Sequence, residues 1–276
     1  MRLKRHQNQW LNWLGMLVAL FLVFDCSAVF AKMAHWQDKR YIESSFYDIA
    51  LRSEYDRISP VVRKWKQPLN IWISSSAGDP EQQRRLLAMH FTHLGDITNL
   101  PFKFVDEREK ANVRVFFTGE KQLKETVARE MSAAAAEYMQ NSMCLGKIRF
   151  NRNAEITRGT VVIPVERVQA QGKLVPCIVE ELTQMLGLIN DSKIAFPTVF
   201  SDVTDNQLLT GLDYLLLKLL YAPQMRSGMN VYQVVPILRR HLIDWERTGV
   251  IRNAEVAITD GPLYSFTDTS HEHEVN

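Results

Sequence analysis

Five polar side chains fall at chemically useful spacings between Pro176 and Asp191, in the stretch PCIVEELTQMLGLIND: Glu180, Glu181, Gln184, Asn190 and Asp191. At 100° per residue, Ile178, Val179, Leu182, Met185 and Leu186 share one arc of a helix, and Glu180, Glu181 and Gln184 share the other. Gly187 closes the pattern as a helix stop does. Neighbouring carboxylates can hold a hard cation such as calcium, magnesium or manganese through oxygen, or work as an acid and base pair. The plainer alternative is an amphipathic helix with a solvated polar face.

The same stretch resembles the zinc-binding motif of metzincin-type peptidases, in which a His-Glu-x-x-His helix is followed by a glycine turn and a third histidine. Glu180-Glu181-x-x-Gln184-x-x-Gly187-x-x-Asn190 falls in that register. The glutamate and the glycine are kept, and Glu180, Gln184 and Asn190 stand where the three histidines would be. The resemblance therefore makes Glu181 a vestigial general-base position and Glu180, Gln184, Asn190 and Asp191 the lining of a former substrate groove. No methionine turn is evident.

Further marks are Cys177 ahead of Glu180-Glu181, Gly187-Leu188-x-Asn190-Asp191-Ser192, Phe200-Ser201-Asp202, Leu209-Thr210-x-x-Asp213, and Leu220-Tyr221-x-Pro223 with Gly228-Met229. Over residues 65–245 they resemble a bacterial secreted family of unknown function, domain of unknown function 2927, itself similar to degenerate zincins. The helix from Thr210 to Tyr221 is also similar to the one that follows the active site in matrix-type metallopeptidases. What the resemblance implies is an α+β, zincin-like fold: a mixed sheet, an active-site-type helix and a helical C-terminal part.

Zinc itself is not expected. A catalytic zinc takes three nitrogen, sulfur or carboxylate ligands and one open position, whereas Gln184 and Asn190 offer neutral amide oxygens. Without a metal-acidified water, Glu181 is a weak base for peptide hydrolysis. The expectation is a non-catalytic or vestigial relative that binds peptide, cell-wall or protein partners in the old groove. The alternative is a hydrolase with altered carboxylate-based or hard-cation chemistry. No metal or other cofactor is assigned, though a hard cation stays open.

The first residues bear on compartment. Arg2, Lys4 and Arg5 precede an apolar run from Leu14 to Phe24, and Val29-Phe30-Ala31 offers a cleavage spacing, which is the pattern of a signal peptide over residues 1–31. The run is short for a membrane span, which takes about 20 apolar residues. A retained anchor, or a lipid on Cys26, are the other readings; Asp25 argues against the lipid. Export to a periplasm or the extracellular space is expected. Removing residues 1–31 changes 33 basic against 31 acidic residues into 30 against 30, so no basic field remains to attract nucleic acid. In an oxidising compartment the remaining pair, Cys144 and Cys177, reads most simply as one disulfide, with two buried thiols as the alternative.

The elements that must position these residues can be read from periodicity. Residues 32–64 form a helical lead-in, with Ile42, Phe46 and Ile49 on one side. The domain proper spans 65–250. In it Leu69–Ser74 is a strand, and Asp79-Pro80-Glu81-Gln82 starts a helix that buries Leu87, Phe91 and Leu94. Pro101–Val105 and Ala111–Phe117 are strands, Leu123–Tyr138 a helix, and Ile148–Phe150 and Thr160–Val165 strands, the first at a sheet edge. Thr210 and Asp213 make a capping box for a buried leucine-rich helix. A last helix runs from Asn230 to Arg247, with Pro236 expected to kink it or shift its start. Residues 251–276 read as a loose tail, in which His271 and His273 are solvated rather than metal ligands.

Overall fold

The computed structural model of the protein describes residues 34–52, 59–201 and 207–266. Residues 1–31, expected to be a signal peptide and including Cys26, and Asp202, His271 and His273 lie outside the described residues.

In chain order the elements are α1 (Lys39–Phe46), continued by a wider π turn to Leu51, β1 (Lys64–Trp65), β2 (Leu69–Ser75), α2 (Pro80–Thr98), β3 (Phe102–Phe104), β4 (Val113–Thr118), α3 (Glu120–Glu130), α4 (Ala133–Tyr138), β5 (Leu145–Phe150), β6 (Glu155–Pro164), α5 (Val165–Ala170), α6 (Leu174–Gln184), α7 (Gly211–Leu220), α8 (Val231–Thr248) and α9 (Ala254–Thr259). The sheet order is β1-β6-β4-β2-β3, with β5 also paired to β6. Every pairing is parallel except β5 with β6. This is a mixed α/β protein built on a largely parallel sheet with one antiparallel edge strand.

Strand alternation gives the sheet two different faces. One face carries the main core, in which Ile71, Val113, Val115 and Ile163 meet Phe91 of α2 and Ile178 and Leu182 of α6. The other face carries a smaller core, where Phe116, Val162 and Leu145 pack against Leu123, Val127 and Met139. Parallel strands buried on both sides read as continuous apolar runs, as in Val161, Val162 and Ile163.

Local chemistry accounts for most element ends. Asp79 accepts hydrogen bonds from the backbone N–H groups of Glu81 and Gln82 and Pro80 opens α2, while Asn99, at φ 56°, ends it. Thr210 and Asp213 form the reciprocal capping box expected of them. Two expectations are corrected, those for residues 123–138 and for the tail beyond Ile251, while Pro236 leaves the start of α8 at its Asn230 cap. The helix expected over Leu123–Tyr138 breaks in two, because the Ser132 hydroxyl accepts the Ala135 N–H and starts a new one. Pro236 sits inside α8 without ending it; the carbonyl it cannot serve, that of Tyr232, belongs to a residue 90% exposed, where water can serve it. The tail expected to be loose from Ile251 instead folds over residues 251–266, where α9 buries Ala254 and Ile258 and is followed by buried Leu263. That segment is too short for a periodic signal and is held by tertiary contact: Gly211 N–H donates to Glu255.

Candidate functional site

The motif helix α6 enters the core along the arc expected of it, with Ile178, Val179, Leu182, Met185 and Leu186 all buried. The turn that follows is clamped by its surroundings. The Trp65 indole donates to the Met185 carbonyl at 2.9 Å, and the Tyr221 hydroxyl donates to the Leu186 carbonyl at 2.9 Å. Gly187 has φ +119°, and a Cβ there would lie 2.0 Å from the Arg63 carbonyl oxygen. Only glycine fits a backbone that is both left-handed and this closely approached.

Beyond that turn the chain folds back on the helix. The Gln184 amide donates to the Asp191 carboxylate. Asn190 is buried; its side-chain amide donates to the Asp191 carbonyl at 2.9 Å, and its backbone N–H donates to Ile49 of the π turn at 3.1 Å. Ser192 then donates to Asp48 at 2.6 Å. The lead-in residues before the sheet thus anchor the return strand. Gln184, Asn190 and Asp191 come together, with both amides donating to Asp191.

Glu181 corrects the expectation of a solvated polar face: it is 6% exposed. Its carboxyl accepts the backbone N–H of Gly146 on β5, and a Cβ on Gly146 would come within 2.5 Å of the Glu181 Oε2. Burial pushes its pKa well above the carboxylate range, with Glu180 and Asp191 adding to the rise and the Gly146 N–H opposing it. Such a group favours its neutral acid form, the reverse of what a general base needs. Glu180, one residue earlier, is half-buried.

Cys144 and Cys177 form a disulfide with Cα atoms 5.9 Å apart. It ties the start of β5 to the first half of α6, and the Gly146–Glu181 bond lies one turn further along. Edge strand and motif helix are therefore joined at two successive levels.

One group beneath the site carries no sequence signal of its own. His90 of α2 is fully buried, with Nε2 3.1 Å from the Thr183 hydroxyl, which donates to the Val179 carbonyl. That leaves Nε2–H as the donor and Nδ1 without a partner. Burial, then the neighbouring His93, lowers the His90 pKa to about 3. A buried neutral histidine stabilises the fold above its unfolded pKa of about 6.5, and the stability is lost as pH falls from there toward 3. At pH 5 the loss from this group is about 2 kcal/mol. Asp213, raised to about 6 mainly by burial, acts with the opposite sign over its own range, so the comparison must isolate His90. We expect the stability difference between the wild type and His90→Gln to shift by about 2 kcal/mol toward the variant between pH 7 and pH 5 in urea titrations. A difference that stays constant with pH would disprove the assignment.

The fit of a zinc ion can be judged from these contacts. Gln184 and Asn190 turn amide donors to Asp191, and among the described residues no group of three His, Cys, Asp or Glu side chains is placed to hold a metal. Glu180, Gln184 and Asn190 do not make a zinc site. A separate groove of about 730 Å³ lies between α1 and α8, lined by Lys39, Glu43, Tyr47, Val234, Leu238 and Leu242, none of them motif residues.

Fold and site together define a mixed α/β protein with a parallel sheet, one disulfide and a polar cluster where the motif helix meets the edge strand. The family described as "Protein of unknown function (DUF2927)" matches residues 39–240, and the chain belongs to it. No curated protein matches the chain.

Proposed function

We propose that the protein is an exported, non-catalytic relative of the zincin-like peptidases that binds an extended peptide segment of a partner along β5, beside the former catalytic helix. The observation that carries this reading is the use made of the motif side chains. Glu181 is spent on the edge-strand N–H of Gly146, and Gln184 and Asn190 are spent on Asp191. Polar atoms that would serve a metal and a water in a working peptidase serve the protein's own backbone and carboxylate instead. An exposed sheet edge next to that helix is the element a peptide can extend by main-chain hydrogen bonds. Export is supported by the disulfide, which persists in oxidising compartments. No described helix is long and apolar enough to cross a membrane.

The scaffold half of the proposal is tested by restoring the ligands. The triple variant Glu180→His, Gln184→His, Asn190→His should gain stoichiometric zinc by elemental analysis, with or without activity. A well-folded triple variant that binds no zinc would mean that the three positions do not converge as in a zincin. The non-catalytic half fails if the mature protein cleaves a broad peptide library and Glu181→Gln abolishes the cleavage.

A second reading is favoured by one observation, the raised pKa of Glu181 between Glu180 and Asp191. A carboxyl held in its acid form beside other carboxyl groups can supply the acid of an acid and base pair in a hydrolase of altered chemistry. Hydrolysis that is lost in both Glu181→Gln and Asp191→Asn would favour it, and a calcium, magnesium or manganese requirement lost in Glu180→Ala would favour its hard-cation form.

A further inference from the structure

The outer edge of β5 has a definite hydrogen-bonding register. Gly159 N–H bonds to the Asn112 carbonyl at 2.9 Å on the β4 side, so Gly159 faces away from its β5 partner, Ile148. Directly opposed residues of an antiparallel pair either exchange both hydrogen bonds or neither, which turns the N–H and C=O of Ile148 outward. Gly146 agrees, since its N–H leaves the sheet for Glu181. Among the described residues nothing bonds to the outward groups of Ile148.

The same register places charge on one face. Residues two apart share a face, so Lys147 and Arg149 lie on the side of Leu145, away from Ile148. Arg149 is directly opposite Arg158, and Lys147 is opposite Thr160, which is itself opposite Arg114. Arg108 adds a fifth cation, its guanidinium 5.7 Å from the Trp72 ring. The carboxylate of Glu130 is shared by Arg108, Arg114 and Arg129. Lys147, Arg149 and Arg158 have no ion pair among the described residues, and the Nε of Arg114 is buried without a hydrogen-bond partner. Like charges held directly opposite each other cost stability, so a cationic row at a sheet edge calls for a counter-charge.

We infer that the β5 edge selects peptides with acidic side chains at alternate positions; this rests on the reading of β5 as a peptide-binding edge. A strand added antiparallel to β5 would exchange main-chain hydrogen bonds with Ile148. Its residues opposite Lys147 and Arg149 would fall in the close, non-hydrogen-bonded pairs, where carboxylates meet the cations. Its intervening residues would lie on the other face, beside Ile148 and the 39% exposed Phe150, where apolar side chains fit. The ligand is thus an extended segment reading acidic, apolar, acidic.

The test uses three dye-labelled, amidated peptides: Gly-Glu-Val-Glu-Val-Glu-Gly, its lysine counterpart and its threonine counterpart. Binding to the folded protein is followed by fluorescence polarisation at low and high salt. The acidic peptide should bind about tenfold more tightly than the lysine peptide, with the threonine peptide between them and the preference shrinking in high salt. The double variant Lys147→Glu, Arg149→Glu, whose altered side chains are both exposed, should reverse that order. Ile148→Pro, which removes an outward N–H and no ladder bond, should weaken all three. Equal binding of the acidic and threonine peptides would overturn the charge selection while leaving the peptide-binding edge intact. Failure of every peptide to bind would remove the edge reading and this inference with it. Acidic-peptide binding unchanged by Ile148→Pro would show docking by charge alone and overturn the strand register proposed here.

Discussion

Gly187→Ala is expected to cost about 3 kcal/mol or more of folding stability, the largest single-residue effect on the motif. Two penalties act together there. The backbone stands at φ +119°, and the added methyl would meet the Arg63 carbonyl at 2.0 Å and a Leu220 methyl at 3.2 Å. A carbonyl is backbone and cannot swing aside as a flexible side chain can. Relief would require the turn to open, which pulls on the Trp65 and Tyr221 bonds to Met185 and Leu186 and on the return strand that brings Asn190 and Asp191 back to Gln184. The loss should be seen as a lowered urea midpoint, together with altered signals for Gln184 and Asp191 in amide-resolved NMR. A variant within about 1 kcal/mol of wild type would show that the turn relaxes cheaply.

Removing the Cys144–Cys177 bridge should cost a similar amount, about 3 to 4 kcal/mol. The two residues are 33 apart in sequence, so the bridge closes a loop that the unfolded chain would otherwise explore freely. Cys144→Ala with Cys177→Ala should lower the urea midpoint by that amount, and reduction of the wild type should reproduce it. The effect should reach the site, because the bridge and the Gly146–Glu181 bond hold β5 against α6 at adjacent levels. Amide exchange at Gly146, whose N–H is bonded to Glu181, should accelerate more than in the distant β2–β3 pair. A loss under about 1 kcal/mol with unchanged exchange would mean that the packing of Leu182 and Ile178 alone sets the strand.

How much of this was legible in the sequence depends on the range of the interaction responsible. Strands β2, β3 and β4, the start of α2 at Asp79-Pro80, the Thr210–Asp213 capping box and the start of α8 at Asn230 are set by neighbours a few residues apart, and their positions follow from the residues themselves. The edge position of β5 was legible for the same reason, in a short strand rich in charge. The break at Ser132 is also local, but a serine within an alanine-rich run reads equally as a helix residue or as a cap. The fold of residues 251–266 was not legible, because it depends on contacts with α7 far away in the chain.

At the site the division is sharper. The residue types alone determined that Glu180, Glu181 and Gln184 share one side of a helix, that Gly187 ends it, and that Gln184 and Asn190 are weak zinc donors, because all of this is local geometry and ligand chemistry. Only the tertiary structure decided that Glu181 is buried against Gly146 and that Gln184 and Asn190 are spent on Asp191. It also decided that His90 underlies Thr183 and that the cations of β4, β5 and β6 fall on one face. Periodicity tells a helix which side is polar, but whether a polar residue at the rim of the apolar arc meets water or a neighbouring strand depends on the element packed beside it. Here that element is β5, and the disulfide and the sheet register, both long-range, place it there.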